Sequence, residues 1–192
     1  MKLGVLFSGG KDSTFAAWFA KKEGYEIACL ITIDSENKDS FMFHTPSISR
    51  TREQAKAMDI PLIVVKTKGE KEQELEDLER AILEAKKKYK IGGIVTGAVE
   101  SIYQASRIQK ICDKFELECF NPLWLKDQIE LLQELLENKF EVIIVGVAAY
   151  PLDEKWLGRK IDNNFIEDIT KLDEKYKINP TGEGGEIESL VL

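Results

Sequence analysis

Leu3-Gly4-Val5-Leu6-Phe7-Ser8-Gly9-Gly10-Lys11-Asp12-Ser13 is the stretch on which the fold turns. Leu3–Phe7 is a short apolar run of the kind that forms a central parallel strand. Ser8-Gly9-Gly10 interrupts it. Phe15, Ala16, Phe19 and Ala20 then share one face of an expected helix, which Gly24 closes. A glycine turn between a buried strand and a helix start suits an anion. The two glycines permit backbone angles that a Cβ forbids, so consecutive N–H groups can converge. The helix start adds unpaired donors and about half a positive charge. Lys11 brings a full charge, and Ser8 and Ser13 bring hydroxyls. Asp12 repels phosphate, so its sensible roles are holding Mg²⁺ or capping the backbone of the loop. The spacing is not that of a Walker A loop, which needs four residues between its first Gly and Gly-Lys. An ordinary glycine turn is the plain alternative. It carries little weight, because Ser-Gly-Gly-x-Asp-Ser arises by chance in on the order of one in ten thousand chains of this length. The stretch predicts a polyphosphate site.

Outward from the loop, strands and helices alternate. Ile27–Ile33 is expected as a second strand, followed by a polar, irregular segment to Phe43. Pro46 and Ser47 are expected to open a helix running to Met58, which Pro61 keeps from continuing. Strands are expected at Leu62–Val65, Ile94–Thr96 and Glu118–Phe120, with helices at Glu70–Tyr89 and Ile102–Phe115. The Glu70–Tyr89 segment is acidic first and lysine-rich last, which complements the helix dipole and reads as a solvated face. Alternation of this kind implies an α/β fold with a parallel sheet and helices on both faces. After Asn121-Pro122 the style changes: a helix (Asp127–Glu137), a strand (Val142–Val147), a further helix (Asn163–Tyr176) and a Gly- and Glu-rich tail, Pro180–Glu188. Residues 1–120 are therefore expected as the nucleotide domain and 121–192 as a smaller α/β substrate domain.

The bulk numbers narrow the function classes. With 27 Lys and Arg against 34 Asp and Glu the net charge is −7, which argues against a broad nucleic-acid surface. Cys29, Cys112 and Cys119 form no C-x-x-C pair and read as thiols of a reducing compartment. No apolar run approaches ~18 residues, so no membrane span is expected, and Lys11 and Asp12 break any signal-like start. A cytoplasmic protein is expected. Homo-oligomerisation is left open.

Ser8–Ser13 resembles the PP-loop of the N-type ATP pyrophosphatases. That resemblance implies a Rossmann-like sheet of the adenine nucleotide alpha hydrolase type, ATP with Mg²⁺, and cleavage between the α and β phosphates. Further pieces resemble the diphthine–ammonia ligases along nearly the whole chain: Met42-Phe43-His44-Thr45-Pro46, Gly97-Ala98 with Tyr103-Gln104 and Arg107, Pro122-Leu123-Trp124, Trp156-Leu157-Gly158-Arg159, and Asn179-Pro180 through Gly182-Glu183-Gly184-Gly185-Glu186. The chain departs from that pattern at Leu125, where glycine is common, and at Ile187 and Ser189, where Tyr and Thr are common. Members usually continue beyond Leu192, so a truncated or shortened end is expected.

The resemblance implies an amide ligase. It would adenylate the carboxylate of diphthine on elongation factor two and let ammonia displace AMP. Lys11, Asp12 and His44 are the catalytic candidates, and Ser8, Gly9, Gly10, Lys11, Asp12, Ser13, Ile33 and Gly97 the nucleotide-binding ones, with Asp12 also a candidate ligand for Mg²⁺. Diphthine carries a quaternary ammonium, best held by aromatic faces and carboxylates. That selects Trp124, Trp156, Glu183, Glu186 and Glu188 as substrate candidates, with Gly184 and Gly185 allowing close backbone approach and Tyr103, Gln104 and Arg107 at the same mouth. Core tryptophans and solvated glutamates are the plain alternative. The rival functions are a tRNA-modifying PP-loop enzyme, disfavoured by the missing cysteine pair and basic face, and an ATP- or AMP-binding module without turnover.

Overall fold

A computed structural model describes residues 1–37, 50–70 and 73–192. Five parallel strands form the main sheet: β1 (Lys2–Leu6), β2 (Glu26–Ser35), β3 (Leu62–Thr67), β4 (Gly93–Val95) and β5 (Glu118–Phe120). Their order is β3-β2-β1-β4-β5. All four neighbouring pairs run parallel. The chain winds outward from β1 in one direction, then returns to β1 and winds in the other. The crevice between the carboxyl ends of β1 and β4 is the topological switch point where such sheets bind ligands.

The strands are buried on both faces, as their continuous apolar runs require. Leu3 and Val5 of β1 face one apolar cluster, together with Phe15, Ala16 and Ala20 of α1 (Lys11–Lys22) and Ala55 of α2 (Thr51–Ala57). The opposite face holds Ile31, Ile63 and Ile94 against Leu78, Ile82 and Ala85 of α3 (Gln73–Tyr89) and Ile108, Ile111 and Cys112 of α4 (Ile102–Lys114). Cys29 and Cys112 are fully buried and Cys119 is half-buried, so the thiols belong to packing. Burial pushes the Cys29 thiol up to about 12.

Residues beyond 121 add α5 (Gln128–Glu137), β6 (Val142–Val147), α6 (Asn163–Tyr176) and β7 (Ile187–Val191). β6 and β7 pair antiparallel. The change at residue 121 is one of topology, because the apolar cluster around α1 continues through Leu131, Leu132, Leu135, Ile144 and Phe165. Phe140 meets Phe15 edge-on at 5.4 Å and Trp18 at 5.9 Å. Among the described residues no helix is long and apolar enough to cross a membrane.

The helix expected from Glu70 is seen as Gln73–Tyr89, with the Glu74 amide donating to the Glu70 carbonyl. The helix start expected at Pro46 and Ser47 lies outside the described residues, and α2 is seen over Thr51–Ala57. The end of the chain, read as a polar tail, carries strand β7. Ile187 and the residues after it pair with a strand about 40 positions earlier, and no local pattern announces that pairing.

Candidate functional site

A cavity of about 540 Å³ opens at the switch point. The phosphate loop lines one side with Ser8, Gly10, Lys11, Asp12 and Ser13. Ile33 of β2 and Gly97, just beyond β4, line the end nearest the sheet. Thr181–Gly185 and the start of β7 close the other side, and Tyr103 and Gln104 of α4 stand at its edge. Nucleotide-binding and substrate candidates from opposite ends of the chain therefore share one space.

The loop geometry is that of an anion cradle. Gly9 has φ +80°, which a residue with a Cβ adopts only at a cost, and a Cβ there would lie 2.3 Å from Gln54 Oε1. Ser8 and Ser13 brace the turn: the Ser8 amide donates to Ser13 Oγ at 3.2 Å, and that hydroxyl donates to the Gly10 carbonyl at 3.2 Å. Gly10, at the N-cap position of α1, has no side chain to cap the helix, so the first-turn N–H groups of α1 are left for another acceptor. Gly97 is packed against this turn, since a Cβ on it would lie 2.7 Å from the Asp12 carbonyl carbon and the Ser13 nitrogen. Its lack of a side chain lets the start of α1 approach the end of β4.

Lys11 is 4% exposed, and its Nζ donates to Asp12 Oδ2 at 2.7 Å. A buried ammonium is stable when paired, and the Asp12 carboxylate supplies the pair. Asp12 Oδ1 is buried without a hydrogen-bond partner. An unpartnered hard oxygen beside a phosphate loop suits Mg²⁺, which is held by one or two carboxylates and the phosphates of its substrate. Among the described residues there is no group of three or more His, Cys, Asp or Glu that could hold a metal by itself.

Facing the loop is a turn built around Asn179. Its Oδ1 accepts from the amides of Thr181 and Glu183, both at 3.1 Å, and from the Thr181 hydroxyl at 3.0 Å. Gln128 Oε1 takes the Thr181 hydroxyl as well, at 3.2 Å. Gly182 has φ +79°, and a Cβ there would lie 2.6 Å from the Ile187 carbonyl oxygen. These bonds hold Glu183 in the cavity. Burial raises the Glu183 carboxyl to about 7, and the negative charges of Asp12 and Glu100 add to the rise, while Lys11 and a backbone hydrogen bond from Val99 oppose it.

The other candidates divide. Gly184, Gly185 and Glu188 line the cavity. Tyr103 does too, and its hydroxyl is buried without a partner. The Arg107 guanidinium lies 3.4 Å from the centroid of the Tyr103 ring, so Arg107 meets the site through Tyr103. Glu186 is not among the lining residues: its carboxylate lies beneath Gly184, whose Cβ would be 2.8 Å from Glu186 Oε1. Trp156 packs edge-on against Phe165 at 5.5 Å with Arg159 over its face, and neither it nor half-buried Trp124 lines the cavity. His44 lies outside the described residues. Sequence reasoning missed Gln54, Ser189, Thr96 and Thr181. Gln54 sits on a short helix with no motif around it, and Ser189 was noted only as a departure from Thr.

The family model for the diphthamide synthase N-terminal domain matches residues 1–119, and that for the diphthamide synthase C-terminal domain matches residues 127–192. The diphthine–ammonia ligase of Homo sapiens is 32% identical over 214 residues, covering 100% of this chain and 79% of the relative. That of Bos taurus is 31% identical with the same coverage. That of Schizosaccharomyces pombe is 32% identical over 208 residues, which cover 100% of this chain but 34% of a longer protein. Among solved structures, a predicted subunit of a tRNA methyltransferase from Methanocaldococcus jannaschii aligns over 100% of this chain and 96% of its own at 20% identity and TM-score 0.49. A 4-thiouridine synthetase in complex with RNA and ATP aligns over 100% of this chain and 55% of its own at 17% identity and the same TM-score. The match along the whole chain, together with a phosphate loop at the switch point of a parallel sheet, places this protein in the diphthamide synthase family, as an ATP-dependent ligase that forms carbon–nitrogen bonds.

Proposed function

We propose that the chain amidates diphthine on elongation factor two, consuming ATP and ammonium and releasing AMP and pyrophosphate. The observation that carries this reading is the shared cavity. The phosphate loop and the Thr181–Gly185 turn, contributed by the two family segments, face each other across a space of nucleotide size.

A carboxylate resists attack because the nucleophile must add charge to an anion. In the first step a carboxylate oxygen of diphthine attacks the α-phosphorus, the bond from that phosphorus to the bridging oxygen breaks, and pyrophosphate leaves. In the second step the nitrogen lone pair of ammonia attacks the acyl carbon. The bond from that carbon to the phosphate oxygen breaks, AMP leaves with the electron pair, and the nitrogen sheds a proton. Lys11 and the N–H groups at the start of α1 lie where negative charge accumulates on the phosphates. Mg²⁺, held by Asp12 and the phosphates, would supply further charge neutralisation. The turn at Thr181–Gly185 would align the acceptor, with Glu183 facing its cationic group. From the family resemblance alone, His44 is proposed as a phosphate- or proton-handling group. The net charge of −7 gives no support to a tRNA substrate.

The test is pyrophosphate release by the purified chain on adding elongation factor two that bears diphthine, together with ammonium, and mass-spectrometric conversion of the carboxylate to the amide. Pyrophosphate release that depends on tRNA, or ATP binding with no turnover on any addition, would sink the reading.

A further inference from the structure

The N-terminus of α1 has no cap from its own loop, yet one of its donors is not empty. The Lys11 amide donates to Ser189 Oγ at 3.1 Å, across 178 residues of sequence. Ser189 stands in the middle of β7 and lines the cavity. A serine hydroxyl has two acceptor lone pairs and one hydrogen to donate. The Lys11 amide uses one lone pair, which leaves the hydrogen for an acceptor arriving in the cavity. Gly10 lets this strand come close, since a Cβ on it would lie 3.3 Å from the Ser189 carbonyl oxygen.

The strand is held there by a second set of bonds. The Val191 amide donates to the Gly9 carbonyl at 3.1 Å. Gln54 Nε2 donates to the same Gly9 carbonyl at 3.0 Å and to the Val191 carbonyl at 2.7 Å. One side-chain amide thus ties the phosphate loop and the C-terminal strand together. The Leu192 amide, donating to the Glu141 carbonyl at 2.9 Å, secures the end of the strand.

We propose that Ser189 is a polyphosphate-binding residue and that Gln54 is the positioning residue that sets its strand against the phosphate loop. The inference deepens the reading above and rests on its ATP-binding half alone. The Ser189 hydroxyl completes the donor set at the start of α1, accepting from Lys11 N–H and donating to a phosphate oxygen. The ATP site is then incomplete without the last strand of the chain, and that strand carries Glu188 into the same cavity. Nucleotide binding and the ordering of the acceptor side are linked through it.

Calorimetric titration of the full chain with Mg-ATP, magnesium pyrophosphate and adenosine tests this. Ser189→Ala should bind ATP and pyrophosphate about 10-fold more weakly, as expected for a lost hydrogen bond to a charged group, and adenosine as the parent does. Ser189→Thr, which keeps the hydroxyl, should bind all three normally. Gln54→Leu should repeat the alanine pattern with a smaller loss. In the parent chain, Mg-ATP should slow hydrogen exchange at 187–191 as well as at 8–13. Unchanged ATP affinity in Ser189→Ala would overturn the proposal. So would an equal loss for all three ligands with a lowered melting temperature, the mark of a helix cap with no phosphate contact. No acceptor protein enters these titrations. A chain that shows the Ser189 pattern but makes no amide therefore refutes the function and not the inference.

Discussion

Two glycine turns face each other across the cavity, and local and distant bonds share in building both. In the phosphate loop Ser8, Gly10, Ser13 and Thr14 bond one another within seven residues, while Gln54, Val191 and Ser189 hold its Gly9 carbonyl and Lys11 amide from afar. The Asn179–Glu183 turn is folded by the Asn179 side chain and braced from afar by Gln128, and a Cβ on its Gly182 would press on Ile187 of the following strand. Local bonds set the shape of the phosphate loop, and distant ones set its place against β7. A turn braced by distant residues has its shape only when those elements are packed. The first should behave as a chemical device and the second as a structural one that presents a carboxylate.

The sharpest way to break the comparison is at Lys11. Lys11→Met should reduce acceptor-dependent pyrophosphate release by about 10²–10³-fold, the usual scale for removing a charge that stabilises a transition state. A purely structural Lys11 would show instead as a fall in melting temperature with turnover preserved.

The second turn should respond through stability. Gly182→Ala combines a positive φ with a Cβ pressed on the Ile187 carbonyl, and should cost about 2–4 kcal/mol in denaturant unfolding. Gly185 has φ +86° but no atom within 4 Å of a Cβ, so Gly185→Ala should cost about 1 kcal/mol. Equal losses would mean that contact with β7 does not shape the turn.

A gentler probe is pH. The Glu183 carboxyl, raised from 4.5 to about 7, binds more protons folded than unfolded between those values. Its contribution is therefore complete below about 4.5 and is lost as pH rises through 7. In nucleotide-free protein, Glu183→Gln should flatten the fall in stability across that window, read as melting temperature against pH. An unaltered slope would place the titrating group elsewhere.

The smallest effect is expected at Leu125, which is 71% exposed and has φ +55°. Leu125→Gly should raise stability by about 0.5 kcal/mol, relief of left-handed strain outweighing the entropy of a glycine. The departure from the family pattern noted at this position falls where the backbone favours a glycine.

The sequence alone determined the parallel sheet and the glycine loop after β1, and it named Lys11, Asp12 and Ser13 as candidates for the chemistry of that loop. These depend on neighbours a few positions apart: an apolar run, two glycines and a helix period. It also marked Asn179 and Gly182–Gly185 through family resemblance, with reasons for Glu183, Gly184 and Gly185 but none for Asn179 and Gly182. Only the tertiary structure decided that Asn179 folds the turn, that Trp156 packs against Phe165 and Arg159, and that the chain's last strand lies against its first loop. Gln54, Ser189 and Val191 meet Gly9 and Lys11 through single hydrogen bonds between segments remote in sequence. Such contacts leave no periodicity behind, because one serine or glutamine looks like any other until the packing of the sheet and helices chooses its partner.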